Sequence, residues 1–227
     1  QIEYDLKFLL AVLNWATTAG NQQGEPLLVA NPLRGLPLPR EDNPRRPVMT
    51  QEQYETLSQV APDVDWRFAL ALVLVHETGH RIGATRTLRW SDVDVEHSRL
   101  RWRAENDKIG FEHTTPLAEA ALRALGEAPR GLGDAWVFPS PGDPNVPCSR
   151  HLMRDWWERA VQRAGFADTQ RLGWHSLRRK FATELKDTPL KDLCALGGWK
   201  DHNTVLKCYQ HADEATMREA LAKRRAV

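Results

Sequence analysis

Cysteine, methionine and tyrosine are scarce in this chain, at three each in 227 residues. Cys148, Cys194 and Cys208 are scattered and form no CxxC pair. An odd count without close spacing argues against a disulfide framework or a structural zinc site and fits a reducing cytoplasm. No apolar run is long enough to span a bilayer, and no signal peptide is visible. Charge of one sign is also lacking: 31 Lys and Arg meet 30 Asp and Glu, for a formal net charge of +1. No global field therefore draws the molecule to a polyanion. Internal repeats and low-complexity tracts are missing too.

What is present is mostly helical periodicity. Ile2, Leu6, Leu9, Leu10, Leu13 and Ala16 fall on one helix face, closed by Gly20. The chain opens inside this pattern, as a fragment of a longer protein would. Residues 31–47 carry five prolines, which fix φ and remove donors, so 31–49 reads as an extended linker. Thr50 and Gln53 form a capping box for a helix to about Val60, and Asp65 caps the next, which is apolar all round and stops at Gly79. A further helical pattern covers 84–88, which puts Arg81 at the junction.

Leu100, Trp102 and Ala104 alternate with Arg101 and Arg103 as a half-exposed strand. A polar turn then leads to a second short strand ending near Pro116, a hairpin with Lys108 at its tip. Helices follow at 117–125 and from Ser149 to Gly165, with Trp156 and Trp157 as core residues, and 136–138 is a candidate strand. The remainder is helical: around Arg178, from Thr188-Pro189 to Gly197-Gly198, over 203–209, and from Asp213 to the basic end at Lys223, Arg224 and Arg225. The fold class expected is mainly α with a small antiparallel β-sheet.

The most informative stretch is 175–211. It holds His175 and Arg178 three residues apart, Trp199 after two glycines, and Tyr209, while the other tyrosines, Tyr4 and Tyr54, lie far upstream. A phenol that can attack, an imidazole that can move a proton and a guanidinium that can grip two oxygens suit chemistry at a phosphate ester. Over 171–211, eight Lys or Arg face four Asp or Glu, a local excess that fits either a phosphate-tracking surface or a solvated helix face.

A second motif competes. His76 to His80 spells HETGH, the zinc-protease pattern, and Gly83 falls where the longer metzincin form has glycine, but Arg86 replaces its last histidine. Both histidines would have to share one face of a continuous helix, and Gly79 is placed to end it. A third ligand could come only from positions such as Glu96 or Glu105, near strand and turn patterns.

Thr78-Gly-His-Arg81 followed by Leu88-Arg-Trp-Ser-Asp-Val-Asp94 resembles the first box of the tyrosine recombinase (phage integrase) family. Lys108, eight residues before Pro116-Leu117, is similar to the family's hairpin lysine. His175-Ser-Leu-Arg178, Gly198-Trp199 and Tyr209 resemble the second box. The similarity runs from about Thr50 onward, and residues 1–30 resemble the tail of the family's helical core-binding domain. Three departures stand out. Ala84 replaces an acid, Arg179 replaces the second histidine of HxLRH, and Trp199 and Tyr209 are one residue further apart than is commonest.

The resemblance implies a core-binding tail at 1–30, a linker at 31–49 and a catalytic domain at 50–227. It implies metal-free and cofactor-free site-specific recombination of double-stranded DNA through a 3′-phosphotyrosine. In that scheme Tyr209 is the nucleophile, Arg81 and Arg178 clamp the non-bridging oxygens, Lys108 is the general acid and His175 the general base. Trp199 donates its indole N–H to a phosphate oxygen, the role a histidine fills in many relatives. Arg179, Lys180, Lys200 and Lys207 are candidate DNA contacts. A homotetramer on two duplexes, exchanging the last helix between subunits, and a cytoplasmic, nucleoid-associated location follow from the same likeness. Type IB topoisomerase-like relaxation would use the same chemistry and is the alternative; zinc proteolysis is the other.

Overall fold

The computed structural model describes residues 2–39, 47–106, 110–167, 171–209 and 214–224. It forms two compact units, Gln1–Arg46 and Pro47–Val227. In the first, α1 (Ile2–Ala16) is followed by turns that fold back on its C-terminal end. Leu28 N–H bonds the Ala16 carbonyl, and the Asn31 amide donates to Asn14 Oδ1 at 2.7 Å. The 31–36 segment is a hydrogen-bonded turn, with Asn31 Oδ1 accepting from Leu33 N–H and Gly35 at φ +85°. The expectation of an extended strap over the whole of 31–49 is thus corrected at its start, because the asparagine side chain supplies the acceptor that proline-rich backbone needs to turn.

In the second unit α2 (Gln51–Val64) begins with the full Thr50–Gln53 capping box and runs past Pro62. α3 (Trp66–Thr78) starts at Asp65, whose carboxylate accepts from Arg67 N–H, and ends at Gly79 in the left-handed conformation. Phe68, Leu70, Ala71, Leu72, Leu74 and Val75 are all buried, so α3 is covered on nearly every side, as its all-round apolar pattern requires. It packs on α2, α5 (Glu119–Glu127), α6 (Arg150–Arg163) and α7 (Trp174–Glu184). Trp157 and Trp174 meet Phe68 edge-on within that core, at centroid distances of 6.3 and 5.5 Å.

A one-turn helix, α4 (Ile82–Thr85), carries the chain into a three-stranded antiparallel sheet, β1 (Val93–Asp94), β2 (Arg99–Trp102) and β3 (His113–Pro116), in that spatial order. Trp102 pairs with His113 across β2 and β3. The candidate strand at 136–138 forms only an isolated bridge from Trp136 to Arg89. After α7 come α8 (Leu190–Gly197), α9 (His202–Cys208) and α10 (Glu214–Arg224). α8 starts at Leu190, with Pro189 rather than Thr188 in the capping position and no side-chain cap. Asp201 caps α9 by accepting from Asn203 N–H. The expected cap of α10, Asp213, lies outside the described residues, as does Arg225.

No helix among the described residues is long and apolar enough to cross a membrane.

Because Leu74 is fully buried at the centre of this packing, Leu74→Ala should destabilise the second unit by about 2–5 kcal/mol, whereas Leu9→Ala on the exposed side of α1 should cost less than about 0.5 kcal/mol; urea titration of each variant measures both.

Candidate active site

Three chain segments meet around Arg178. Gly79 caps α3 at φ +65°, and Gly198 caps α8 at φ +62°, so both helices stop in the left-handed conformation that glycine adopts without penalty. Arg178, on α7, is only 1% exposed, and its Nη1 donates to the Gly79 carbonyl and, at 2.6 Å, to the Gly197 carbonyl. Its guanidinium lies over the Trp199 ring at 3.8 Å. Two carbonyls at helix C-termini and one indole face compensate a charge that would otherwise be costly to bury.

Arg81, the residue immediately before α4, opens onto a cavity of about 520 Å³ together with Arg178 and His175. His175 is exposed on the first turn of α7. The sequence reading missed three further arginines that line the same cavity. Arg86 donates to the Cys148 carbonyl at 2.8 Å, and Arg150 and Arg154 come from the first turns of α6. Among the described residues, Glu105 is the one acidic side chain lining it. Burial, with the nearby Arg150 guanidinium next in effect, holds the Arg86 pKa below its usual value. The spacing of Arg150 and Arg154, four apart on a capped helix, was the signal in the sequence.

The other expected site residues are distributed differently. Tyr209 is 8% exposed and closes α9, its N–H bonded to the Val205 carbonyl and its own carbonyl accepting from Thr183 Oγ1 at 3.4 Å. Its ring meets Trp199 edge-on at 5.2 Å and lies 5.4 Å from the Arg178 guanidinium, in a small cluster with Phe181, Leu193 and Val205. Neither Tyr209 nor Trp199 lines the cavity. Trp199 Nε1 is buried without a hydrogen-bond partner among the described residues. The Trp199 indole N–H is thus not among the groups lining the cavity.

Lys108 lies outside the described residues, and so does the side chain of Lys207. Lys200 is exposed. Arg179 and Lys180 are corrections: they are buried, Arg179 donating to the Pro47 carbonyl at 2.9 Å and Lys180 paired with Glu184. α7 packs on α3 and α8, and that packing turns these cations inward.

The HETGH pattern resolves into two separate environments. α3 ends between the histidines; His76 stacks on Tyr54 at 3.7 Å, and His80 stacks on Trp102 at 3.5 Å. Among the described residues no group of three His, Cys, Asp or Glu side chains is arranged to hold a metal. Burial, with Arg178 next in effect, holds the His80 pKa well below the usual histidine value.

Known proteins place this arrangement. The chain is 29% identical over 136 residues to prophage integrase IntA of Escherichia coli (strain K12), covering 59% of this chain and 32% of that protein, so it spans about a third of that curated relative. The fold matches that of a lambda integrase dimer bound to a COC′ core site, at 21% identity and TM-score 0.66 over 86% of this chain and 55% of that one. It also matches the XerH site-specific recombinase bound to palindromic difH substrate, at 18% identity and TM-score 0.70 over 97% and 66%. The sequence model of the phage integrase family matches residues 47–216. With that model covering most of the second unit, this chain belongs to the phage integrase family.

Proposed function

We propose that the chain is the catalytic part of a tyrosine-type, site-specific DNA recombinase, with 1–30 as the end of a core-binding domain, 31–49 as the linker and 50–227 as the catalytic domain. The observation that carries this reading is the convergence of Arg81, Arg178 and His175, from α4 and α7, on a cavity otherwise rich in arginine. Two guanidiniums at one cavity suit the non-bridging oxygens of a phosphodiester, where charge grows in the transition state. The solved relatives were captured on DNA, and double-stranded DNA is the substrate this cavity would take.

In the proposed reaction the Tyr209 oxygen attacks phosphorus, the bond to the 5′ oxygen breaks, and a 3′-phosphotyrosine and a 5′-hydroxyl result. His175 takes the phenol proton, and Lys108 gives one to the leaving oxygen. Attack by a partner strand's 5′-hydroxyl reverses the chemistry, so the phosphoester bond is conserved and no nucleotide is consumed. Tyr209 must first leave its packing against Trp199 and Val205. That movement also uncovers the Trp199 indole N–H, which then has a phosphate oxygen as acceptor. Exposed Lys200, with Lys207, Arg150 and Arg154, would follow the DNA backbone. Met217 and Leu221, both exposed on α10, give that helix apolar surface to dock on a neighbouring subunit, as a tetramer on two duplexes would need. Such a protein works on the nucleoid in the cytoplasm.

Nicked suicide duplexes drawn from a random-sequence pool test the reading. The wild-type chain should yield a denaturation-resistant protein–DNA adduct that persists in EDTA and disappears in Tyr209→Phe; Arg178→Ala should slow adduct formation by about 10²–10³-fold. No adduct from any pool sequence sinks the recombinase assignment, and relaxed plasmid without strand exchange would favour the topoisomerase alternative. Arg150→Ala with Arg154→Ala should lower the slope of log K against log salt for duplex binding by about 1–2, read by fluorescence anisotropy across a salt series.

A further inference from the structure

His80 and His113 form a pair that the reaction scheme does not use. His80 sits between Gly79, whose carbonyl holds Arg178, and Arg81. Its ring is 4% exposed and lies flat on Trp102, at 3.5 Å between centroids and 2° between planes. His80 Nδ1 is 3.0 Å from the Thr78 carbonyl, and a carbonyl only accepts, so that nitrogen carries the proton. His80 Nε2 is therefore an acceptor; His113 Nδ1 likewise faces a carbonyl, that of Phe111 at 3.2 Å, so His113 carries a proton on each ring nitrogen when its Nε2, 2.9 Å away, donates to His80. His113 stands on β3, directly across from Trp102, with Phe111 stacked on its outer side at 4.9 Å.

The third wall of this pair is the cap of α8. A Cβ on Gly198 would come within 2.8 Å of His80 Nε2 and 3.0 Å of His113 Nε2. The two rings are thus wedged against the backbone adjoining Gly197, the second carbonyl that holds Arg178. Arg178 grips the α3 and α8 ends from one side, and the two imidazoles fill the gap between those ends and the sheet. A cleft of about 10 Å³ is all that remains between them and Arg81, Ala84 and Arg178.

We propose that the His80–His113 hydrogen bond is a positioning device for the two arginines: it locks the sheet to the α3 and α8 caps and so fixes where Arg81 and Arg178 present their guanidiniums to a phosphate. Ala84 stands where an acid is usual in the family, and in this chain the wedge takes on the support of the Arg81 segment from the other side. Stacking on Trp102 sets the ring planes, and the single donor–acceptor bond sets their register. Protonating His80 would turn its acceptor into a second donor and break the bond. Burial disfavours the charged form of that imidazole and so favours its acceptor role.

The inference rests on the recombinase reading, and its test separates the two. In ¹⁵N-labelled protein, long-range proton–nitrogen correlation should show His80 protonated at Nδ1 and His113 carrying an Nε2 proton. A His80 protonated at Nε2 overturns the proposal. In single-turnover cleavage at saturating suicide duplex, His113→Ala should slow adduct formation by about 10–100-fold, with the DNA dissociation constant within about twofold of wild type. His113→Gln, which places an amide N–H where the ring Nε2–H was, should recover most of the rate, and His113→Phe, which keeps the stacked ring without a donor, should not. Equal rates in wild type and His113→Phe, with both folded by circular dichroism, overturn the proposal. If wild type gives no adduct, the recombinase reading fails on its own. The wedge is then judged by titrating Arg81 and Arg178 side-chain resonances with inorganic phosphate: weaker binding in His113→Phe supports it, and unchanged binding sinks it.

Discussion

A guanidinium buried where two helices end is the constraint on which the rest of this unit depends. Arg178 is out of water, and a charge in that position persists only if its hydrogen bonds are fixed and its faces covered. The chain meets the requirement with the Gly79 and Gly197 carbonyls, which lie at the C-terminal, electronegative ends of α3 and α8, and with the face of Trp199. Each helix must stop within a residue of the right place, and glycine at 79 and 198 makes the stop possible. A Cβ at Gly79 would collide with the Phe181 ring at 2.4 Å, so the close approach of α7 needs that glycine for space as well as for conformation.

From this centre the site divides into a front and a back. In front, Arg81, His175 and the α6 arginines surround an open, cationic cavity. Behind, Tyr209, Trp199 and Phe181 form an apolar cluster in which the tyrosine is held by packing and two backbone hydrogen bonds. The guanidinium of Arg178 separates them. Burying a tyrosine-sized ring is worth roughly 1.5–3 kcal/mol, so taking Tyr209 out of this cluster would cost about that much.

Much of the second unit was legible in the residues. The Thr50 capping box, the Asp65 cap, the Gly79 stop and the Arg99–Trp102 alternation are local signals, each set by a side chain satisfying or failing to satisfy backbone within a few positions. Two boundaries differ from the local pattern. Helix α2 continues past Pro62 because the Asp65 N–H still closes the last turn on Ala61, and the 31–36 segment turns because Asn31 provides the acceptor. The charge count over 171–211 misled as well, since a tally cannot distinguish the face of α7 that carries Arg179 and Lys180 into the core from one that meets solvent.

The order and spacing of Arg81, Lys108, His175, Arg178, Trp199 and Tyr209 were fixed by the primary structure alone, and with them the family, because such a pattern is a list of chemical types in sequence. Which of those groups share a cavity, that Tyr209 and Trp199 lie behind Arg178, that Arg150 and Arg154 join the front, and that His80 belongs to His113 rather than to His76 were decided only by tertiary packing. The reason is that burial and hydrogen-bond partnership across tens of residues depend on where helices end and how sheets dock, quantities that no local pattern carries.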